Sequence, residues 1–228
     1  MTTTVLAVSP HLDDAIFSLG GYLSRRAAAG DRVIVATVFT GNVAQPQGFA
    51  LACQLDKGLP PDVDYMALRR EEDRQACTLI GAEPVHLNFL EAPHRGYDSA
   101  VALFERPRQE NKLESMIADS LGELVQRHKP GKIYGPKAIG GHVDHFLVAH
   151  ILAEHFAVRC WADYPYTNRA DWNSDAYAPI ELSGDEAALK LAAADAYATQ
   201  VAFQFPDGLK VSDFAIEYLE RASNDVDG

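Results

Sequence analysis

The sequence predicts an α/β fold: a mostly parallel sheet with helices on both faces, a three-layer α/β/α sandwich. Three observations carry this. The apolar runs Val5–Val8 and Val33–Phe39 are continuous rather than alternating, as strands covered on both sides are. A stretch with Ile16, Leu19 and Leu23 at helical spacing separates them. Strand, helix and strand in roughly 35 residues make a βαβ unit, and the alternation continues along the chain.

In order, residues 4–8 read as a strand, 14–29 as a helix closed by Gly30, and 33–39 as a second strand. Residues 40–64 hold Gly41, Pro46, Gly48, Gly58, Pro60 and Pro61 and read as a long loop of functional length. A charged helix follows at 64–79, ending at Gly81, then a strand at 85–89 and a second loop at 91–107. A helix at 111–128, a turn at Pro130-Gly131, a strand at 132–134 and a Gly-rich approach lead to His142. A helix at 143–156, a strand at 158–162 and an Ala-rich helix at 184–203 complete the pattern. The tail 224–228 reads as disordered.

The 228 residues are 47% hydrophobic, enough for a sizeable core, and one domain over 1–228 is expected. With 20 basic and 32 acidic residues the formal charge is -12, which repels phosphate backbones and anionic lipid, so neither nucleic acid nor membrane is an expected partner. Cys53, Cys77 and Cys160 are odd in number and form no Cys-x-x-Cys pair, so they read as reduced thiols. The start Met1-Thr2-Thr3-Thr4 lacks a basic region and the apolar run after it is far short of the ~20 residues that span a bilayer, so a cytoplasmic protein is expected. The sequence is compatible with a homo-oligomer.

Two short segments carry chemistry. Ser9-Pro10-His11-Leu12-Asp13-Asp14 follows the first strand, and Gly141-His142-Val143-Asp144-His145 follows the strand at 132–134. In open α/β sheets ligands bind outside the carboxyl ends of the strands, so the topology can bring both together. His11, Asp14 and His145 are the expected metal ligands, two His and one carboxylate with a position left open for water, as in a catalytic zinc site. Iron, cobalt or manganese also suits that set. Asp13 cannot easily share the ion and becomes the general base. His142, as an imidazolium, would stabilise the oxyanion and protonate the leaving amine, with Asp144 orienting it and raising its pKa. The bland alternative is that Asp13 and Asp14 merely cap a helix and His145 is a core histidine. His86, His94, His128, His150 and His155 read as surface or packing residues, and Arg69-Arg70-Glu71-Glu72-Asp73 as a solvated helix face.

These residues resemble the PIG-L/LmbE-like family of zinc-dependent N-deacetylases, which show a His-Pro-Asp-Asp-Glu-like motif after the first strand and a His-Pro-Asp-His-like motif later. Here they read His11-Leu12-Asp13-Asp14-Ala15 and His142-Val143-Asp144-His145. The resemblance implies a Rossmann-like fold, a small amino-sugar or other N-acyl substrate, and the same ligand and base assignments. It also implies that Arg69 and Glu91 face sugar hydroxyls. Leu12 and Val143 replace prolines, and Ala15 removes a carboxylate near the metal. Gly140 stands where some relatives carry a Tyr, so a helping phenol would come from elsewhere, such as Tyr164 or Tyr166, or be absent.

The expected activity is deacetylation of an N-acetylglucosamine-containing or similar compound, in a biosynthetic pathway. An amidase of a larger thiol or sugar conjugate, or a ligand-binding relative without catalysis, are the alternatives. A nucleotide-binding site is disfavoured, because Pro10-His11 occupies the turn where Gly-x-Gly-x-x-Gly would lie.

Overall fold

The computed structural model describes residues 2–168, 170–204 and 220–223. Seven strands form one sheet: β1 (Thr4–Ser9), β2 (Arg32–Phe39), β3 (Ala82–Phe89), β4 (Lys132–Pro136), β5 (Val158–Trp161), β6 (Tyr177–Ile180) and β7 (Glu220–Ser223), in spatial order β3-β2-β1-β4-β5-β7-β6. The first five run parallel, and β7 is antiparallel to both β5 and β6. The helices are α1 (Asp14–Ala28), α2 (Gly48–Asp56), α3 (Tyr65–Leu79), α4 (Asn111–His128), α5 (Val143–His155), α6 (Gly184–Asp195) and α7 (Ala198–Gln204).

Because successive strand residues point to opposite faces, β1 divides the core in two. Val5 and Ala7 pack with Ile16, Leu19 and Leu23 of α1, Cys77 of α3 and Ala193 of α6. Leu6 and Val8 pack with Ile117 and Leu121 of α4 and with Val148 and Ile151 of α5. The expected three layers follow directly. Leu19 and Leu23 are fully buried, each worth about 1.5–3 kcal/mol by area removed from water.

The chain winds from β1 outward to β2 and β3, then returns to β4 on the other side of β1. That reversal opens a crevice at the carboxyl ends of β1 and β4, the place where such sheets bind ligands. Gly135 in β4 lets α5 lie close, since a Cβ there would meet Leu152 Cδ1 at 2.3 Å.

Several elements differ from the sequence expectation. The long loop at 40–64 contains α2, and the loop at 91–107 contains the 3-10 turns Ala92–Arg95 and Ala102–Phe104. The Ala-rich helix is two helices, α6 and α7, with a break between Asp195 and Ala198. The strands β6 and β7 lie outside the βα pattern. The tail 224–228 lies outside the described residues. Among the described residues no helix is long and apolar enough to cross a membrane.

Candidate active site

The turn after β1 is held by its own side chains. Ser9 Oγ donates to the His11 carbonyl and accepts from Ala15 N–H, while His11 N–H donates to Asp14 Oδ2 at 2.8 Å. Asp13 has φ 157° and ψ -36°, a conformation that L residues rarely adopt, and such strain gathers at functional sites. Its side chain makes no capping bond, which removes the bland reading for this residue. Instead Asp13 Oδ2 accepts from Gln204 Nε2 at 3.0 Å, and Oδ1 lies 3.9 Å from Arg69 Nη2.

The second motif enters from α5, with His142 at its N-cap and Asp144 and His145 in the first turn. Three imidazoles meet: the ring centres of His11, His142 and His145 are 5.1–5.4 Å apart pairwise. Each can offer a nitrogen within 4.8 Å of the others, so this trio could hold a metal ion. Asp14 joins them, with Oδ2 3.2 Å from both His11 Nδ1 and His145 Nε2. Two ligand atoms about 2.0–2.1 Å from a tetrahedral ion stand roughly 3.3 Å apart, so the spacing fits a metal.

The outward-facing nitrogens strengthen that fit. His11 Nε2 lies 2.9 Å from Asp144 Oδ2, and His145 Nδ1 lies 3.0 Å from Asp163 Oδ1. Each carboxylate fixes its ring's proton on the far nitrogen and turns the near lone pair inward, the arrangement expected behind metal-binding histidines. His145 Nε2 is buried without a well-aimed hydrogen bond, an atom that a cation would satisfy. Asp163, which also accepts from the backbone N–H of Lys137 and Ile139, was not foreseen. Its signal was available: a carboxylate just beyond the carboxyl end of a parallel strand.

Electrostatics separate the neighbours. Burial, and then the charge of Asp14, push the Asp13 carboxyl up to about 7, against the pull of Arg69. Burial disfavours ionised Asp14, yet His145 and His11 hold its pKa well below the usual range. Burial also opposes charge on the two histidines; Asp14 and Asp144 still raise His11, and Asp14 and Asp163 lift His145 to about 9. His142 goes the other way. Burial, and then the adjacent His11, lower it to about 3.

Burial and His11 thus oppose the imidazolium expected at His142, while Asp144 favours it. Asp144 does not orient His142 by its carboxylate. Asp144 Oδ2 faces His11 and Ala92 N–H, Oδ1 faces Arg95, and only the Asp144 backbone N–H reaches His142, donating to Nδ1 at 3.2 Å. That bond leaves the His142 proton on Nε2. The carboxylate is turned away from His142 because Asp144, buried in the first turn of α5, points back toward β1.

Both motifs open into a cavity of about 370 Å³. Arg69 and Glu91 lie on its wall but pair with each other, and Arg69 Nη2 also reaches the Leu12 carbonyl at 3.3 Å. The charged run on α3 is only partly solvated: Arg69 and Asp73, four residues apart, are buried. Asp73 accepts from Tyr197 Oη at 2.7 Å and meets His86 Nε2 at 2.8 Å, which gives His86 the packing role expected. Glu72 receives Thr199. These contacts dock α7 on α3, and α7 brings Gln204 to Asp13. His94, expected in a surface or packing role, lines the cavity, as do Phe49 of α2 and Phe104.

Tyr166 lines the cavity, with its ring 5.1 Å from that of His145. Gly140 makes this possible. Its φ is +85°, and a Cβ there would stand 2.8 Å from Tyr166 Cδ1.

A family model described as GlcNAc-PI de-N-acetylase, PIG-L, matches residues 6–156, which include both motifs. A 2'-N-acetylparomamine deacetylase of Streptomyces fradiae is 33% identical over 178 residues, covering 73% of this chain and 58% of that protein. The chain thus spans somewhat over half the length of that relative. Among solved structures, the zinc-inhibited form of a teicoplanin deacetylase superposes with TM-score 0.82 at 26% identity, covering 97% of each chain. A deacetylase of the A40926 pseudoaglycone gives TM-score 0.79 at 27% identity, covering 98% of this chain and 97% of that one. The resemblance read from the two motifs is borne out, and the chain belongs to the PIG-L family of α/β deacetylases.

Proposed function

We propose that this protein, as one domain, is a metal-dependent hydrolase that removes an acetyl group from an N-acetylated amino sugar during biosynthesis. The observation that carries the reading is the convergence of His11, Asp14 and His145, each histidine backed by a carboxylate, beside Asp13 with its strained backbone. The named activities of the relatives, deacetylases of 2'-N-acetylparomamine, of the A40926 pseudoaglycone and of teicoplanin, support this reading.

His11, Asp14 and His145 would hold the ion, zinc by donor type, with iron also suited. When bound, the cation supplies a Lewis acid that acidifies water and polarises the amide carbonyl. Asp13, with a carboxyl raised toward neutrality, takes a proton from the attacking water. His142 then donates its Nε2–H to the carbonyl oxygen as negative charge develops there; a neutral donor suffices for this. As the C–N bond breaks, Asp13 returns the proton to the nitrogen, leaving free amine and acetate. This assigns amine protonation to Asp13 rather than to His142. Arg69 and Glu91, locked together on the wall, would offer their outer faces to sugar hydroxyls.

The test is acetate release from N-acetylated amino sugars, with metal content measured in the same preparation. The reading requires release that stops on chelation and returns with a divalent metal. A larger acid as product would favour the amidase alternative.

A further inference from the structure

The second motif's aspartate is bonded on both sides, and its second partner belongs to no motif. Arg95, at the end of the 3-10 turn Ala92–Arg95, sends Nη1 to Asp144 Oδ1 and to the Leu90 carbonyl, each at 2.8 Å. Its other edge forms a fork on Glu110, Nε to Oε1 at 2.8 Å and Nη2 to Oε2 at 3.0 Å. The guanidinium is stacked 4.9 Å from the Phe39 ring centre, at the end of β2. Tyr97 Oη donates to Glu110 Oε2 at 3.2 Å and accepts from Arg108 N–H, closing the 91–110 segment on itself.

We infer that Arg95 is a positioning residue for the metal ligand His11, acting through Asp144, and that it ties the cavity's outer wall to the metal centre. The inference rests on the metal site of the proposed function. Asp144 has two oxygens and three partners in fixed directions: Ala92 N–H and His11 on one oxygen, Arg95 on the other. With both oxygens occupied, the carboxylate cannot rotate away from His11 Nε2, so Nδ1 stays aimed at Asp14 Oδ2. Arg suits this post because its planar fork grips Glu110 while a third N–H reaches Asp144; a single ammonium cannot do both. The same segment supplies Pro93, His94, Leu103 and Phe104 to the cavity wall. Loop placement and ligand orientation therefore share one side chain.

The test compares Arg95→Met and Arg95→Lys with the wild-type chain, reading metal affinity by chelator competition and the visible spectrum of the Co2+-loaded protein. Losing a partner behind a ligand typically lowers metal affinity about 10–100-fold. Arg95→Met should fall in that range with an altered Co2+ spectrum, and Arg95→Lys should recover part of the loss. Affinities within about twofold of wild type in both variants, with unchanged spectra, would overturn the inference. If Arg95→Met does not fold, as judged by circular dichroism, Arg95→Lys decides: a several-fold loss supports it and an unchanged affinity overturns it. Because the readout is binding, a wild-type chain that holds metal but cleaves no amide would sink the proposed function alone. One that holds no metal would overturn both.

Discussion

Asp163→Asn exchanges one oxygen for an NH2 group and should cripple a histidine 18 positions away. Asp163 is fully buried; Oδ2 accepts from two backbone N–H groups, of Lys137 and Ile139, and Oδ1 faces His145 Nδ1 at 3.0 Å. In the variant the amide oxygen must stay with the two backbone donors, which turns the NH2 group toward His145. His145 Nδ1 then has to accept, and its proton moves to Nε2, the atom that faces Asp14 and would bind the metal. A loss of about 10–100-fold in metal affinity is expected, or roughly 1.4–2.8 kcal/mol. The loss can be read as stability. At free metal about 100 times the wild-type Kd, binding adds about 2.7 kcal/mol to folding, and a 30-fold weaker site adds only about 0.9. Urea unfolding with and without metal measures that gap. A metal-induced gain equal to the wild-type one would refute the reasoning about the tautomer.

Other consequences are local. Ser183 caps α6 in a capping box with Glu186, whose carboxylate also pairs with Arg25, so Ser183→Ala should cost about 1 kcal/mol in urea unfolding. The Arg25 pairing holds the Glu186 carboxyl down to about 2, below its ordinary 4.5, so its stabilisation is complete above pH 4.5 and disappears as pH falls toward 2. Glu186→Gln should flatten stability in that window, and an unchanged pH profile would argue against the pairing. Gly140→Ala must move Tyr166, at about 1–3 kcal/mol for the positive φ and the crowding; kinetics should show lower kcat/KM while metal affinity holds. Lys190→Met leaves Glu220, which is fully buried and receives Gly21 and Tyr22 N–H, without its ion pair at 2.8 Å. A loss of about 3–5 kcal/mol is expected, and a near-neutral denaturation midpoint would contradict it.

What could be read in the sequence was what neighbours along the chain decide. The helix at 111–128 coincides with α4, because its apolar spacing and the Pro130-Gly131 stop are local signals. His11 and Asp14, or His142 and His145, lie close in sequence at the carboxyl ends of predicted strands, so topology alone suggested their meeting. Helix α2 was hidden among the glycines and prolines around it, while β7, only Glu220-Arg221-Ala222-Ser223, offers no apolar pattern. Arg95, Asp163 and Gln204 escaped notice because their roles depend on contacts 18 to 191 positions away. The burial of Arg69 and Asp73 escaped for the same reason: their partners Glu91, His86 and Tyr197 come from other elements. That the Asp144 carboxylate points to His11 and Arg95 rather than to His142 is likewise something that spacing does not encode.

The central claim is that Asp13 handles the proton in an amide hydrolysis at this cavity, and Asp13→Asn tests it most directly. The variant keeps the acceptor for Gln204 and all three ligand candidates, so metal content should stay at the wild-type level. Turnover of an N-acetylated amino sugar, followed as acetate released, should fall by about 10²–10⁴-fold, the usual worth of a general base. Wild-type acetate release from a fully metal-loaded Asp13→Asn protein would contradict the account.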